Sequence, residues 1–404
     1  MQAFARLSPE VRQYLIVTGN YWAFTLTDGA LRMLVVLHFH SLGYTPLQIA
    51  ALFLFYEVFG VVTNLVGGYL GARLGLNRTM NLGLAMQVVA LLMLTVPAAW
   101  LTVSWVMGAQ ALSGIAKDLN KMSAKSSIKL LVPDSQQGTL YKWVAILTGS
   151  KNALKGVGFF LGGALLTLLG FGGAVLVMAA VLAVIWIGSL VLLKKDLGKA
   201  KAKPKFKDIL SKSQAINVLS AARLFLFGAR DVWFVIALPV YLSTVFGWNF
   251  WMVGGFLACW IIGYGIVQSM APAITGKRSG KVPDGRAAFI WAALLAALPA
   301  AIAVGLATGA SPQWVLIGGL LLFGGLFAVN SSLHSYLIVS YAKEDGVSLD
   351  VGFYYMSNAM GRLIGTLLSG WVFQAYGLQA CLWVSSLFVL LAAIISLRLP
   401  RHTR

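Results

Sequence analysis

Apolar stretches of about 20 residues or more follow one another along the chain, parted by short turns, the pattern expected of membrane-crossing helices. Ser8, Pro9 and Glu10 predict a helix start, with Ser8 as cap and Pro9 in the first turn. Helix 1 then runs over about Tyr14–Leu42, and Thr45-Pro46 opens helix 2, which reaches about Leu70. A charged loop, GGYLGARLGLNRT, precedes helix 3 at about Met80–Ala98. Helix 4 begins near Leu101 and ends in a lysine-rich tract. Helix 5 covers about Thr139–Gly170 and helix 6 about Gly173–Leu193. The second half repeats the plan, with helix 7 at about Ala215–Phe246 and helix 8 at about Phe250–Ile274. Helix 9 follows at about Ala287–Ala307, and Ser311-Pro312 opens helix 10, which ends near Tyr341. Helices 11 and 12 take about Val351–Tyr376 and Leu378–Leu397.

This predicts an all-α membrane protein of twelve transmembrane helices in two six-helix bundles. The bundles are expected at 1–194 and 214–404, joined by a basic linker at 195–213. Composition agrees: 59% of the 404 residues are hydrophobic and 11% are charged, far too apolar for a soluble domain. The net charge of +19 does not imply nucleic acid, because no soluble segment is long enough to bind it. Its distribution sets orientation instead. The turns after the odd-numbered helices (LGYTP, VPAAW, GFGG, FGWN, TGASPQ and YGLQ) carry no charge. Arg73, Arg78, the central lysines, Lys277, Arg278, Arg286, Arg398 and Arg401 all fall on the opposite face. The positive-inside rule therefore puts both termini and the linker in the cytoplasm of an inner-membrane protein. The first 14 residues form no cleavable signal, so the first span is expected to stay. The Asn77-Arg78-Thr79 sequon falls on the cytoplasmic side and is not expected to be glycosylated.

Against this apolar ground, residues 113–163 hold seven lysines. Lys151 and Lys155 lie inside helix 5, where a charge costs about 2.5–3.5 kcal/mol and marks a functional site. They are four apart and share a helix face, as do Lys117 and Lys121. Arg223 and Arg230 share a face of helix 7, and Arg362 sits near the middle of helix 11. Ser150, Lys155, Gly158 and Gly163 have the same mutual spacing as Ser357, Arg362, Gly365 and Gly370, a sign of internal duplication. Arg presents a planar fork to oxyanions and Lys a point charge, so these cations suit a small solute with one or two phosphate-like groups. Snorkelling to the interface is the competing reading, strongest for Lys117, Lys121 and Arg223.

The expected substrate contacts are Lys151, Lys155, Arg362, Arg230, Lys117, Lys121, Arg32, Asn152 and Asn358. The two asparagines are included because they neighbour Lys155 and Arg362. Asp28, Glu57 and Asp231 are the candidates for proton coupling, since their charge state answers to a nearby cation. Simple pairing competes with that role: Asp28 with Arg32 at i,i+4, and Asp118 with Lys121 at i,i+3. His38, His40 and His334 read as structural or interfacial residues at or near helix ends, and Cys259 and Cys381 as small buried hydrophobes. The remaining asparagines, serines and threonines in the spans read as helix glue. No Walker loop, HExxH or GxSxG is present, so neither an enzyme nor an ATP-driven pump is expected, and no cofactor or metal is implied.

Six helices, a basic linker and six more resemble the major facilitator plan. Gly68 to Arg78, GYLGARLGLNR, is similar to that superfamily's helix 2–3 loop motif, with Ala72 where the motif usually has Asp. The basic loop GKRSGK after helix 8 is its counterpart. Four blocks carry a narrower resemblance: NYWAFTLTDGALRMLVVLHFHSLGY, FYEVFGVVTNLVGGYLGARLGLNRT, QALSGIAKDLNKMSAKSSIKLLVP and LTGSKNALKGVGFFLGGALL. They resemble the ArsJ-type organoarsenical efflux permeases, as do GARDVWFVIALPVYL and FYYMSNAMGRLIGTLLSG more loosely. That resemblance implies export of 1-arseno-3-phosphoglycerate, formed when glyceraldehyde-3-phosphate dehydrogenase uses arsenate in place of phosphate. It implies arsenate resistance and a functional pairing with that dehydrogenase without physical contact. Another organic-anion or sugar-phosphate transporter or exchanger of the same fold stays open. A drug–proton antiporter, a membrane sensor and a membrane enzyme fit the residues less well.

Overall fold

The computed structural model describes residues 7–44, 48–49, 52–193, 197–201, 204–205, 207, 210, 212–276 and 282–401. Every regular element among them is helical. The expected helix-2 start at Thr45-Pro46, the loop residues Lys277 and Arg278, and much of the linker lie outside the described residues. Contacts divide the chain into two units. The first holds Met1–Trp143, Ser150–Ser211 and Ala342–Met356; the second holds Val144–Gly149, Lys212–Tyr341 and Ser357–Arg404.

The first unit begins with α1 (Pro9–Ser41), capped as expected by the Ser8 hydroxyl, which accepts from the Val11 amide. α2 (Leu54–Leu74) and α3 (Leu76–Met93) follow. Here the expectation of a loop is corrected. The charged stretch is helical on both sides of Gly75 alone, whose φ of 100° makes the turn in one residue. The linker docks on this joint: the Leu76 amide donates to the Leu197 carbonyl and the Ala200 amide to the Ala72 carbonyl. Ala72, the departure from the loop motif, is buried and is held through its backbone. α3 also stops earlier than expected, before Pro97, which disfavours helix in the residue preceding it. α4 (Val103–Leu131) is capped by Thr102 and packs against α1, α2 and α3, making it the centre of this unit.

α5 (Gln137–Leu192) is 56 residues long, far more than a bilayer requires. Gly170, at φ 68° and ψ 178°, breaks it into two arms where the sequence placed the end of helix 5. α11 (Val347–Ser396) is broken in the same way at Gly377, φ 80°. Side chains with a Cβ rarely adopt either conformation.

The second unit is built from α6 (Gln214–Phe234), α7 (Ala237–Thr244), α8 (Phe250–Thr275), α9 (Gly285–Ala307), α10 (Pro312–Tyr341) and most of α11. The single helix expected over Ala215–Phe246 is interrupted at Val235 and Ile236. Pro239 has no amide to give the Val235 carbonyl, and at this break the amides of Ile236 and Ala237 donate to the Ser369 hydroxyl. α10 packs against α6, α8 and α9, occupying the place that α4 has in the first unit. An aromatic core around Trp233, Trp260, Phe323 and Phe327 fills the unit. Cys381 is buried as expected, but Cys259 is exposed on α8, its neighbours Ala258 and Trp260 taking the inward positions. Among the described residues, six helices are long and apolar enough to cross a membrane, α5 and α11 among them.

Candidate functional site

In the first unit the charged residues gather where α1 crosses the first arm of α5. The crossing is close because it is made by glycines: a Cβ at Gly158 would stand 2.9 Å from the Leu26 carbonyl oxygen, and one at Gly29 only 2.7 Å from the Lys155 carbonyl. This brings Lys155 into electrostatic reach of Asp28, Arg32, Lys151 and Lys117. Asp28 is 5% exposed. Its two oxygens accept from the Tyr56 hydroxyl at 2.8 and 3.0 Å. The Asp28–Arg32 pair read from spacing does not form. Arg32 lies over the Phe53 and Tyr56 rings and reaches Glu57 at 3.6 Å, because α2 offers those partners at the same height. Lys117 stands over the opposite part of the arrangement, 3.8 Å from the Tyr56 ring centre. Lys151 donates to the Asn152 side chain at 3.4 Å.

Below this cluster the lysines of α4 form a ladder. Lys117, Lys121, Lys125 and Lys129 recur every four residues, and all are half-buried or buried. Lys121 pairs with Asp118 at 2.7 Å, as the spacing predicted. Lys121 and Lys125 both lie over the Tyr355 ring, and Lys125 donates to its hydroxyl. Lys129 pairs with Asp134 at 2.7 Å. Lys117, Lys121 and Lys125 each have an aromatic or acidic partner inside the unit, whereas Lys129 reaches the exposed Asp134. Lys125 was not among the expected contacts, although its four-residue spacing from Lys121 was there to be read.

The second unit places its charges at the crossing of α6 and α11, again glycine against glycine. A Cβ at Gly365 would stand 2.6 Å from the Gly228 carbonyl and 3.0 Å from the Asp231 Cβ. Asp231 is fully buried between two guanidinium groups: Arg230 at 2.6 Å and Arg362 at 3.2 Å. Arg223, which was expected to be able to snorkel, is 3% exposed. It lies 3.8 Å from the Phe227 ring centre and donates to the Asn358 side chain at 2.8 Å and to Ser331. Asn358 thus serves Arg223 and not the neighbouring Arg362. Gln268 also donates to Ser331, at 3.1 Å. His334 is corrected too: it lies in the body of α10, fully buried, and neither ring nitrogen has a partner among the described residues.

Each unit therefore carries an acid, one or more cations and a glycine crossing inside apolar helices, with no metal-binding cluster among the described residues. The equivalence extends to detail. A Cβ at Gly163 would stand 3.7 Å from the Leu37 side chain, and one at its counterpart Gly370 would stand 3.6 Å from that of Ile236. A duplicated, apolar, helical framework with buried charges facing one another is the build of a secondary transporter.

The chain belongs to the Major Facilitator Superfamily, whose family model matches residues 15–348. It is accordingly a multi-pass membrane transporter and not an enzyme. Solved structures share the fold over nearly the whole chain. The human organic anion transporter MFSD10 superposes with a TM-score of 0.75 at 18% identity, over 96% of this chain and 100% of that one. A bacterial homologue of the iron transporter ferroportin gives 0.72 at 15% identity, over 95% and 98%. The E. coli fucose:proton symporter FucP gives 0.72 at 14% identity, over 95% and 98%. Searching curated proteins gives no match to this sequence.

Proposed function

We propose that this transporter exports an anionic organoarsenical, 1-arseno-3-phosphoglycerate, across the cytoplasmic membrane and so confers arsenate resistance. The observation that carries the reading is the pair of acid–cation clusters at the two glycine crossings. A compact solute with a phosphate at one end, an arsenate at the other and no apolar body needs fixed cations at membrane depth. Lys151, Lys155, Lys117, Lys121, Arg32 and Asn152 supply the contacts in the first unit, and Arg362, Arg230 and Asn358 those in the second. Asp28, Glu57 and Asp231 are the coupling acids, each already engaged with a tyrosine or an arginine whose partner the substrate could displace. The four-block resemblance to the organoarsenical permeases selects the substrate within this chemistry. Twelve spans, cytoplasmic termini and bundle limits of 1–194 and 214–404 complete the reading, with glyceraldehyde-3-phosphate dehydrogenase as the enzyme that makes the substrate.

Everted membrane vesicles test it. They are supplied with arsenate, glyceraldehyde-3-phosphate, the dehydrogenase and its nicotinamide cofactor, each omitted in turn. The expected result is arsenic accumulation that requires all four and collapses with a protonophore. Accumulation without the dehydrogenase transfers the assignment to arsenate or another anion, and none under any mixture leaves the sugar-phosphate reading.

A further inference from the structure

A groove of about 470 Å³ lies between α3 and the second arm of α5, away from the charged cluster around Asp28. One stripe of each helix lines it. On α3 the stripe is Arg78, Asn81, Leu82 and Ala85; on α5 it is Trp186 and Leu190, continued by Leu193 just past its end. These are the i, i+3, i+4 and i+7 positions of single helix faces. The chemistry changes along the length. Asn77, Arg78 and Asn81 occupy the first two turns of α3, and Ala85 stands about 12 Å along the axis from Asn77, at 1.5 Å per residue. Leu82 and Leu190 are 42% and 48% exposed, so the apolar part opens outward and not toward the helix bundle. Just behind its lining the Trp186 indole N–H and the Asn81 Oδ1 are buried with no protein partner, and an occupant reaches them when those side chains turn outward. A polar group left unpaired among apolar side chains is costly, and an occupant with ester or hydroxyl oxygens relieves that cost.

We propose that this groove binds one anionic phospholipid, its phosphate against Arg78 and an acyl chain along Leu82, Ala85 and Leu190. A free phosphate leaves the apolar wall unused, and an uncharged lipid makes no use of Arg78. The glycerol and ester region meets Trp186 and Asn81, at the depth where indoles ordinarily sit in bilayers. Arg78 lies three residues beyond the Gly75 joint on which the linker docks, so an occupied groove braces that joint.

The test uses the purified, delipidated full chain and phosphatidylglycerol carrying brominated acyl chains, which quench nearby tryptophan. Phosphatidylcholine with the same chains and inorganic phosphate are the comparisons. The wild type is expected to lose a component of emission that Trp186→Phe lacks. Half-quenching is expected at about fivefold less phosphatidylglycerol than phosphatidylcholine, the preference one basic residue confers at an anionic surface. Arg78→Gln, at an exposed position, removes that preference and leaves phosphatidylcholine quenching unchanged. Ala85→Phe, which fills the groove, weakens quenching by both lipids. Equal quenching by the two lipids, a preference that survives Arg78→Gln, or displacement by inorganic phosphate overturns the proposal.

Discussion

The two units put a buried carboxylate at the same kind of helix crossing and then treat it in opposite ways. Asp231 is clamped by two arginines, 2.6 and 3.2 Å away. Asp28 is held by a phenol, with its cations ranged around it as a loose group. Guanidinium forks fix geometry and keep their own charge, so the second unit holds its acid in a rigid frame. Lysines are point charges on flexible stems, so the first unit holds a cluster whose partners can be exchanged. The difference teaches that a duplicated framework has been given two electrostatic tasks, one met from a rigid frame and one from an adaptable one.

The same substitution in both places separates those tasks, and it carries the largest expected effect. Asp231→Asn leaves two guanidinium groups facing each other over a neutral amide. Removing one partner of a buried ion pair costs about 3–5 kcal/mol. Asp28→Asn keeps an oxygen for the Tyr56 hydroxyl and costs no more than about 1 kcal/mol, the scale of one exchanged hydrogen bond. Thermal unfolding of the two purified variants compares them directly. Equal losses of midpoint temperature erase the distinction drawn here.

Transport gives the next contrast. Lys155→Ala and Arg362→Ala are expected to lower export at least roughly tenfold while leaving each variant folded, a loss of about 1.4 kcal/mol or more. Asp231 keeps Arg230 when Arg362 is removed, which is why the fold survives. The conservative changes then diverge. Lys155→Arg retains a cation in a loose cluster and preserves part of the activity, whereas Arg362→Lys loses the fork geometry and does not. Vesicle transport with matched protein amounts measures both, and normal export by either alanine variant removes that residue from the site.

Much of this arrangement is legible in the sequence. Both long-helix breaks stand where GFGG and YGLQ placed a turn, because glycine at positive φ is a local property of the sequence. The helix caps at Ser8 and the Lys121–Asp118 pair were local in the same sense. What failed was anything decided between helices. Spacing alone paired Asp28 with Arg32, but α2 supplies Tyr56 and Glu57 at that height and wins both partners. Arg223 read as able to reach the interface, yet α10 and α11 offer Ser331 and Asn358 deep in the unit. The charged stretch around Gly75 read as a loop because polarity marks turns. The backbone there stays helical on both sides of Gly75, and the linker docks on it through the Leu76 amide and the Ala72 carbonyl. His334 showed no signal that it would be fully enclosed without a ring partner.

Tyr56→Phe gives the smallest and sharpest contrast. The ring remains, so Lys117 and Arg32 keep the face they lie over at 3.8 and 5.5 Å. Only the hydroxyl goes, and with it the two contacts to Asp28. An ordinary hydrogen bond contributes about 0.5–1.5 kcal/mol, and one to a charged group about 1.5–3 kcal/mol. The freed carboxylate, however, has Lys155 within reach, and a lysine stem can swing to meet it. The expected stability loss is therefore at the low end, about 0.5–1 kcal/mol. Apparent affinity for the substrate should fall at the same time, because Lys155 is drawn onto Asp28 and away from the anion. No such trade is available in the second unit, where both arginines are already on the acid. A large stability loss with unchanged affinity means the phenol is a fixed strut, and the first unit then resembles the second more than its lysines suggest.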